Sequence, residues 1–178
     1  ALAALARYAG DTMRQIVELH PHSKYARACS PQLVLPNIDR TCAQKGVTVM
    51  GTGDFTHPAW FAHCREHLQP AEAGLYTLRG STTGVRFIAT SEVACIYSKG
   101  GKVRRLHIML VAPSLEIVEQ LNARLSKIGN LAADGRPILG LDAKKLAEIA
   151  WGVDERILVI PAHAWTPWFS VFGSFSGF

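Results

Sequence analysis

Strand-length runs alternating with helix-length segments constrain this fold most. Val47-Thr48-Val49-Met50 lies between Gly46 and Gly51, and Ile157-Leu158-Val159-Ile160 ends at Pro161. Neither run carries a charge, which is the pattern of strands covered on both faces, as in a parallel sheet flanked by helices. Further strand-like stretches fall at residues 15–19, 75–78, 85–90, 95–97 and 103–112. Helical patterns at 31–45, 58–68, 115–128 and 142–151 separate them. Gly46 reads as a helix stop, Pro58 as a first-turn proline and Asp142 as an N-cap. Leu115, Val118, Leu121 and Leu125 recur as one buried helical stripe. The alternation predicts an α/β chain with a parallel sheet, open or closed into a barrel. Residues 128–141, polar and Gly-rich, read as a mobile loop, and Ser91-Glu92 as the end of the 85–90 strand.

The chain has 178 residues, 48% hydrophobic and 19% charged, which suits one folded domain and excludes a disordered one. Net charge is +5 with a pI near 9.2, compatible with a nucleic acid or another phosphate-bearing substrate and equally with an ordinary basic surface. Cys29, Cys42, Cys64 and Cys95 form no Cys-x-x-Cys, so reduced thiols and a cytoplasmic location are expected. No apolar run approaches the roughly 18 residues of a membrane span. Residues 1–12 read as an Ala-rich, disordered extension, and 13–178 as the domain.

His20 and His22 flank Pro21 just after Ile16-Val17. Residues i and i+2 of a strand share a face, so both imidazoles can aim at one point, and Pro21 places them where the strand ends. Asp54 and His57 follow the 47–50 run, Glu92 follows the next strand, His107 lies within a strand, and His163 follows the 157–160 run. An imidazole and carboxylate set without thiolate suits a catalytic zinc, manganese or iron. Glu92 is the natural bridge between two ions. His63 and His67, one helical turn apart, read as solvated helix residues.

The order of His20-x-His22, Gly51-Thr-Gly-Asp54-Phe-Thr-His57-Pro, Thr90-Ser-Glu92, the His107 strand and Pro161-Ala-His163-Ala-Trp-Thr-Pro-Trp168 resembles that of the polymerase and histidinol phosphatase (PHP) domain family. Within that family the endonuclease Q group is the most similar, through Leu19 to Ser23, Ile96 to Arg105, Ser126 to Asn130 and Asp134 to Pro137. The resemblance implies a distorted (βα)7 barrel, here C-terminally incomplete. It implies metal-dependent cleavage of DNA 5′ to a deaminated base or an abasic site. It also implies a ligand set: His20 and His22 on one ion, His107 and His163 on a second, Glu92 bridging, and Asp54 or His57 at a third site. Glu92, His107 and Asp54 would be the catalytic residues. Glu18 stands where the family often has Asp, and Ala28 where some members have a further histidine.

Independently of that likeness, Lys99, Lys102, Arg104 and Arg105 flank a Gly100-Gly101 turn between Glu92 and His107, a basic hairpin that would grip phosphates beside the metals. Trp165 and Trp168 follow His163 and could stack on an unpaired base. The expected partner is therefore DNA, with no membrane association and two divalent ions, zinc first. A PHP-type phosphomonoesterase acting on a small metabolite, and a non-catalytic scaffold or DNA-binding module, are the alternative readings.

Overall fold

The structure, a computed structural model, describes residues 14–177. The expected extension at 1–12 lies outside the described residues. Twelve elements follow in order: β1 Val17–Glu18, α1 Leu35–Lys45, β2 Val49–Gly51, α2 Pro58–His67, β3 Leu68–Pro70, β4 Tyr76–Leu78, β5 Arg86–Lys99, β6 Lys102–Ala112, α3 Leu115–Leu125, β7 Ile138–Leu139, α4 Ala143–Trp151 and β8 Leu158–Pro161. Local signals place the helix ends. Gly46 closes α1 at φ 72°, a left-handed conformation that suits glycine. Ser114 Oγ accepts from the Ile117 N–H at the start of α3, and Asp142 Oδ1 from the Lys144 N–H at the start of α4.

The chain is α/β, but its eight-stranded sheet is open and mixed, where the sequence leads one to expect parallel strands. β1, β2 and the start of β5 pair in parallel, as does β7 with β5. β3, β4, β6 and β8 enter antiparallel. The run at 157–160 is not a strand covered on both faces. β8 lies on β6 with Leu158 and Ile160 exposed.

β5 and β6 form the spine, an antiparallel pair in continuous register from Ala89↔Ala112 to Lys99↔Lys102. The expected break at Ser91-Glu92 is absent. A strand with a core face and a polar face need not end at a polar residue. Ala89, Val93 and Cys95 of β5, with Leu106, Ile108 and Leu110 of β6, face the core. The helices cover this face, and Leu121 and Leu125 of α3, Leu146 of α4 and Trp60 of α2 are fully buried. Glu92, Ala94 and His107 take the opposite face. Glu92 thus lies in mid-strand.

Residues 128–141 are packed rather than loose. Leu131, Gly135, Pro137 and Leu139 are buried, and Ile138 and Leu139 pair with Ala94 and Cys95. The four cysteines are free thiols, three of them buried. Among the described residues no helix is long and apolar enough to cross a membrane.

Candidate metal centre

The parallel register of β1, β2 and β5 delivers the polar loops to one edge. Val17 pairs Val49 and Val49 pairs Arg86, so the chains leaving β1 and β2 reach the level of Glu92 a few residues later. Gly53 makes the close approach possible. Its φ is 63°, a Cβ there would strike the Pro21 carbonyl, and its N–H donates to Thr90 Oγ1 at 3.0 Å. From the other side β8 runs antiparallel to β6, and the Ala162 N–H donates to the His107 carbonyl at 2.9 Å. That bond sets His163 beside His107, their ring centres 5.2 Å apart.

Four imidazoles meet around Glu92, which is 1% exposed. His20 Nε2 lies 3.0 Å, His107 Nδ1 3.1 Å and His163 Nε2 3.3 Å from Glu92 Oε1. His22 Nε2 is 3.4 Å from Oε2. Despite these distances, no ring N–H is directed at Oε1, which is buried without a hydrogen bond. His107 Nδ1 and His163 Nε2 are themselves 3.1 Å apart. A buried carboxylate oxygen facing several ring nitrogens is the donor arrangement a divalent cation satisfies. Among the described residues two groups qualify by geometry, His20-His22-Glu92 and Glu92-His107-His163, and Glu92 belongs to both.

Supporting contacts orient two of the rings. Asp54 Oδ1 meets His22 Nδ1 at 2.8 Å, and Thr166 Oγ1 meets His163 Nδ1 at 3.0 Å. Each contact leaves Nε2 turned toward Glu92. Asp54 is fully buried and has a φ of 47°, uncommon outside glycine. Its Oδ2 accepts from the Ser23 N–H at 2.6 Å and the Ser23 hydroxyl at 2.7 Å.

Charge follows from this geometry. Burial works against ionising Glu92, but the imidazoles of His107, His20 and His22 outweigh it and hold the carboxyl far below the usual carboxylate range. The contact with Asp54, then that with Glu92, raises His22 to about 9 in spite of burial. His107 moves the opposite way. Its side chain is only 8% exposed, and burial lowers its pKa although Glu92 pulls it up.

The structure brings His20, His22, Glu92, His107 and His163 together. It places Asp54 behind His22, outside both groups. His57 is also outside them, stacked on Tyr25 at 4.2 Å, with Nδ1 buried and unpartnered. Glu18 does not reach the cup either, since its Oε1 accepts from the His20 N–H at 2.8 Å. The basic hairpin spans a range of distances from the cup: Arg105, opposite Ile96, stands two residues before His107 on the same face of β6. Lys99 and Lys102 lie at the tip of β5 and β6, seven residues from Glu92, on the order of 20 Å at the usual rise per residue. Lys99 is paired there with Asp142 at 2.8 Å. Trp165 and Trp168 are exposed, stacked on Phe172 and Phe175. His63 and His67 are half-buried rather than solvated, their rings 4.0 Å apart, with His63 also stacked on Trp60.

Sequence reasoning missed Arg136, whose Nη1 is 3.0 Å from Glu92 Oε2. It also missed Ser23 and Thr166, and that Phe169 stacks on His107 at 4.5 Å. The only local signal for Arg136 is its place in Asp134-Gly-Arg-Pro137, since its approach to Glu92 spans 44 residues.

No protein-family model matches the chain. In fold it is similar to the lesion-specific endonuclease PfuEndoQ from Pyrococcus furiosus, with 33% identity and a TM-score of 0.74 over 87% of this chain. It is similar as well to endonuclease Q in complex with a 27-mer duplex carrying an abasic lesion at the active site, with 35% identity and a TM-score of 0.75. An uncharacterized protein of Methanocaldococcus jannaschii is 27% identical over 152 residues. The chain spans 36% of the length of those solved chains and 16% of the M. jannaschii protein. The relationship is therefore endonuclease Q-like and of the PHP type, a likeness to about a third of that enzyme.

Proposed function

We propose that this chain is the metal-binding part of a DNA-repair endonuclease that hydrolyses the phosphodiester 5′ to a deaminated base or an abasic site. One observation carries the reading: Glu92 Oε1 is buried, has no hydrogen bond, and is ringed by imidazole nitrogens from three distant segments. Likeness to a lesion-specific endonuclease and to an abasic-duplex complex supports it.

In this reading His20, His22 and Glu92 hold one divalent ion, and Glu92, His107 and His163 hold a second. Zinc suits these donors, and manganese or iron would also be accepted. Such ions neutralise phosphate charge and make a water acidic enough to attack near neutral pH. The chain's own residues prepare that chemistry. Glu92 lends one carboxylate to both groups, His107 closes the second, and Asp54 holds His22 in the tautomer that offers Nε2. A third ion involving Asp54 or His57 is disfavoured, because Ser23 and His22 already occupy the Asp54 oxygens.

DNA would be contacted away from the cup as well as in it. Lys99 and Lys102 would meet phosphates several nucleotides from the scissile bond, at roughly 3.4 Å per nucleotide, and Arg104 and Arg105, nearer His107 along β6, phosphates closer to it. Trp165, 82% exposed, and Trp168 would offer their uncovered faces to unpaired bases. A distorted (βα)7 arrangement of the PHP type, of which the open sheet forms part, and a cytoplasmic location belong to the same reading.

The test is nicking of a duplex with one abasic site, uracil or inosine by the zinc- or manganese-loaded protein. A nick 5′ to the lesion, abolished by chelation and by Glu92→Ala, is expected. Protein that carries two ions per chain and leaves all three duplexes intact would overturn the reading.

A further inference from the structure

Beside the cup, on the same face of β5 and β6, lies a cavity of about 230 Å³. Arg27, Ala94, Ile96, His107, Arg136 and Phe169 line it, so it shares its His107 wall with the candidate metal centre. Its two cations come from distant segments and are tied to one carboxylate. Asp134 Oδ2 accepts from the Arg27 N–H at 3.2 Å, and Oδ1 from the Arg136 N–H at 2.9 Å. Asp134 also lines the cavity, but both of its oxygens are engaged by main chain. The guanidinium groups remain available. Arg136 directs Nη1 at Glu92, one of its five N–H donors, and the Arg27 side chain has no partner among the described residues.

Two arginines lining a cavity with an apolar floor match one particular ligand unit. Planar N–H pairs bind phosphate oxygens, and Ala94, Ile96 and Phe169 offer a surface for a deoxyribose face. The volume is below the roughly 300–1,000 Å³ of pockets that enclose a whole small ligand. The cavity is thus scaled to one sugar-phosphate unit of a longer chain.

We propose that this cavity is a subsite for the phosphodiester and sugar of the nucleotide next to the scissile bond, gripped by Arg27 and Arg136. The proposal rests on the nuclease reading above and adds to it the positions that hold the strand in register.

The test uses metal-loaded protein and a fluorescent, lesion-free single strand of about eight nucleotides. Anisotropy is measured across several salt concentrations, with elemental analysis of the same samples. Arg27→Gln is the decisive variant, because Arg27 touches no candidate ligand. It should lose about 5- to 10-fold in affinity and lower the salt slope by roughly 0.7, the value for one phosphate contact on a single strand, with metal content unchanged. Arg27→Lys should recover the slope. Arg136→Gln should lose a similar factor. Wild-type binding matched within twofold by Arg27→Gln at every salt concentration overturns the subsite and leaves the nuclease reading standing. Metal-loaded wild type without salt-dependent DNA affinity overturns both.

Discussion

Asp54 and His22 meet Oδ1 to Nδ1 at 2.8 Å, although 32 residues separate them. The carboxylate is buried and shared with the Ser23 backbone and hydroxyl, so the ring it holds has one available orientation. Replacing Asp54 by Asn keeps the shape and removes the charge. Metal affinity at the His20-His22-Glu92 group should fall about 10- to 100-fold, as for other orienting partners of ligand histidines. The second group should be little changed. Competition with a chromophoric chelator reads both affinities, and two unaltered values would contradict the role given to Asp54.

Glu92 belongs to both ligand groups, whereas His163 belongs to one. Glu92→Ala should therefore lose both ions together, and His163→Ala mainly one. Elemental analysis of the purified variants is sufficient. Identical, full occupancy in the two would refute the bridge.

In metal-free protein, His22 should make stability depend on alkaline pH. Its pKa is raised from 6.5 to about 9, first by Asp54 and then by Glu92, against burial. A group whose folded pKa is raised contributes fully below its unfolded pKa and loses that contribution as pH climbs through the folded value. Stability from this ring should thus be present below about pH 6.5 and gone above about pH 9. The amount is on the order of 2 kcal/mol, discounted for partial exposure. Urea unfolding of chelated protein at pH 6, 8 and 10 measures it. Wild type and Asp54→Asn losing equal stability over that range would exclude His22 as the cause.

Gly135 packs where a side chain cannot go. A Cβ there would collide with the Asp54 carboxylate and sit 2.9 Å from the Ala26 nitrogen. The Gly135 N–H also donates to the Tyr25 carbonyl at 3.0 Å, which keeps the segment from receding. Gly135→Ala should cost about 1–3 kcal/mol and weaken metal binding as Asp54→Asn does. Gly140→Ala, with no atom within 4 Å of its Cβ, is the control. Denaturant midpoints that shift equally in the two variants would disprove the contact.

Much of the cup was legible in residue order. His20, His22, Glu92, His107 and His163 each stand beside or within a strand-like run, and the structure gathers all five. The Gly100-Gly101 turn and the caps at Gly46 and Asp142 follow from local conformational preference, which needs no distant partner. Strand continuity was harder. The polar pair Ser91-Glu92 looks like a terminus in one dimension, yet Ser91 faces one side of β5 and Glu92 the other.

Residue types and spacing alone dictated the donor chemistry, the α/β class and most helix limits, because these depend on neighbours a few positions apart. Pairing alone dictated that β6 and β8 run antiparallel, that Lys99 and Lys102 lie far from Glu92, that Asp54 stands behind His22, and that Arg136 reaches the shared carboxylate. Those outcomes depend on register between segments up to dozens of residues apart. Register is chosen by the sum of burial over the whole sheet, a quantity no short stretch of residues contains.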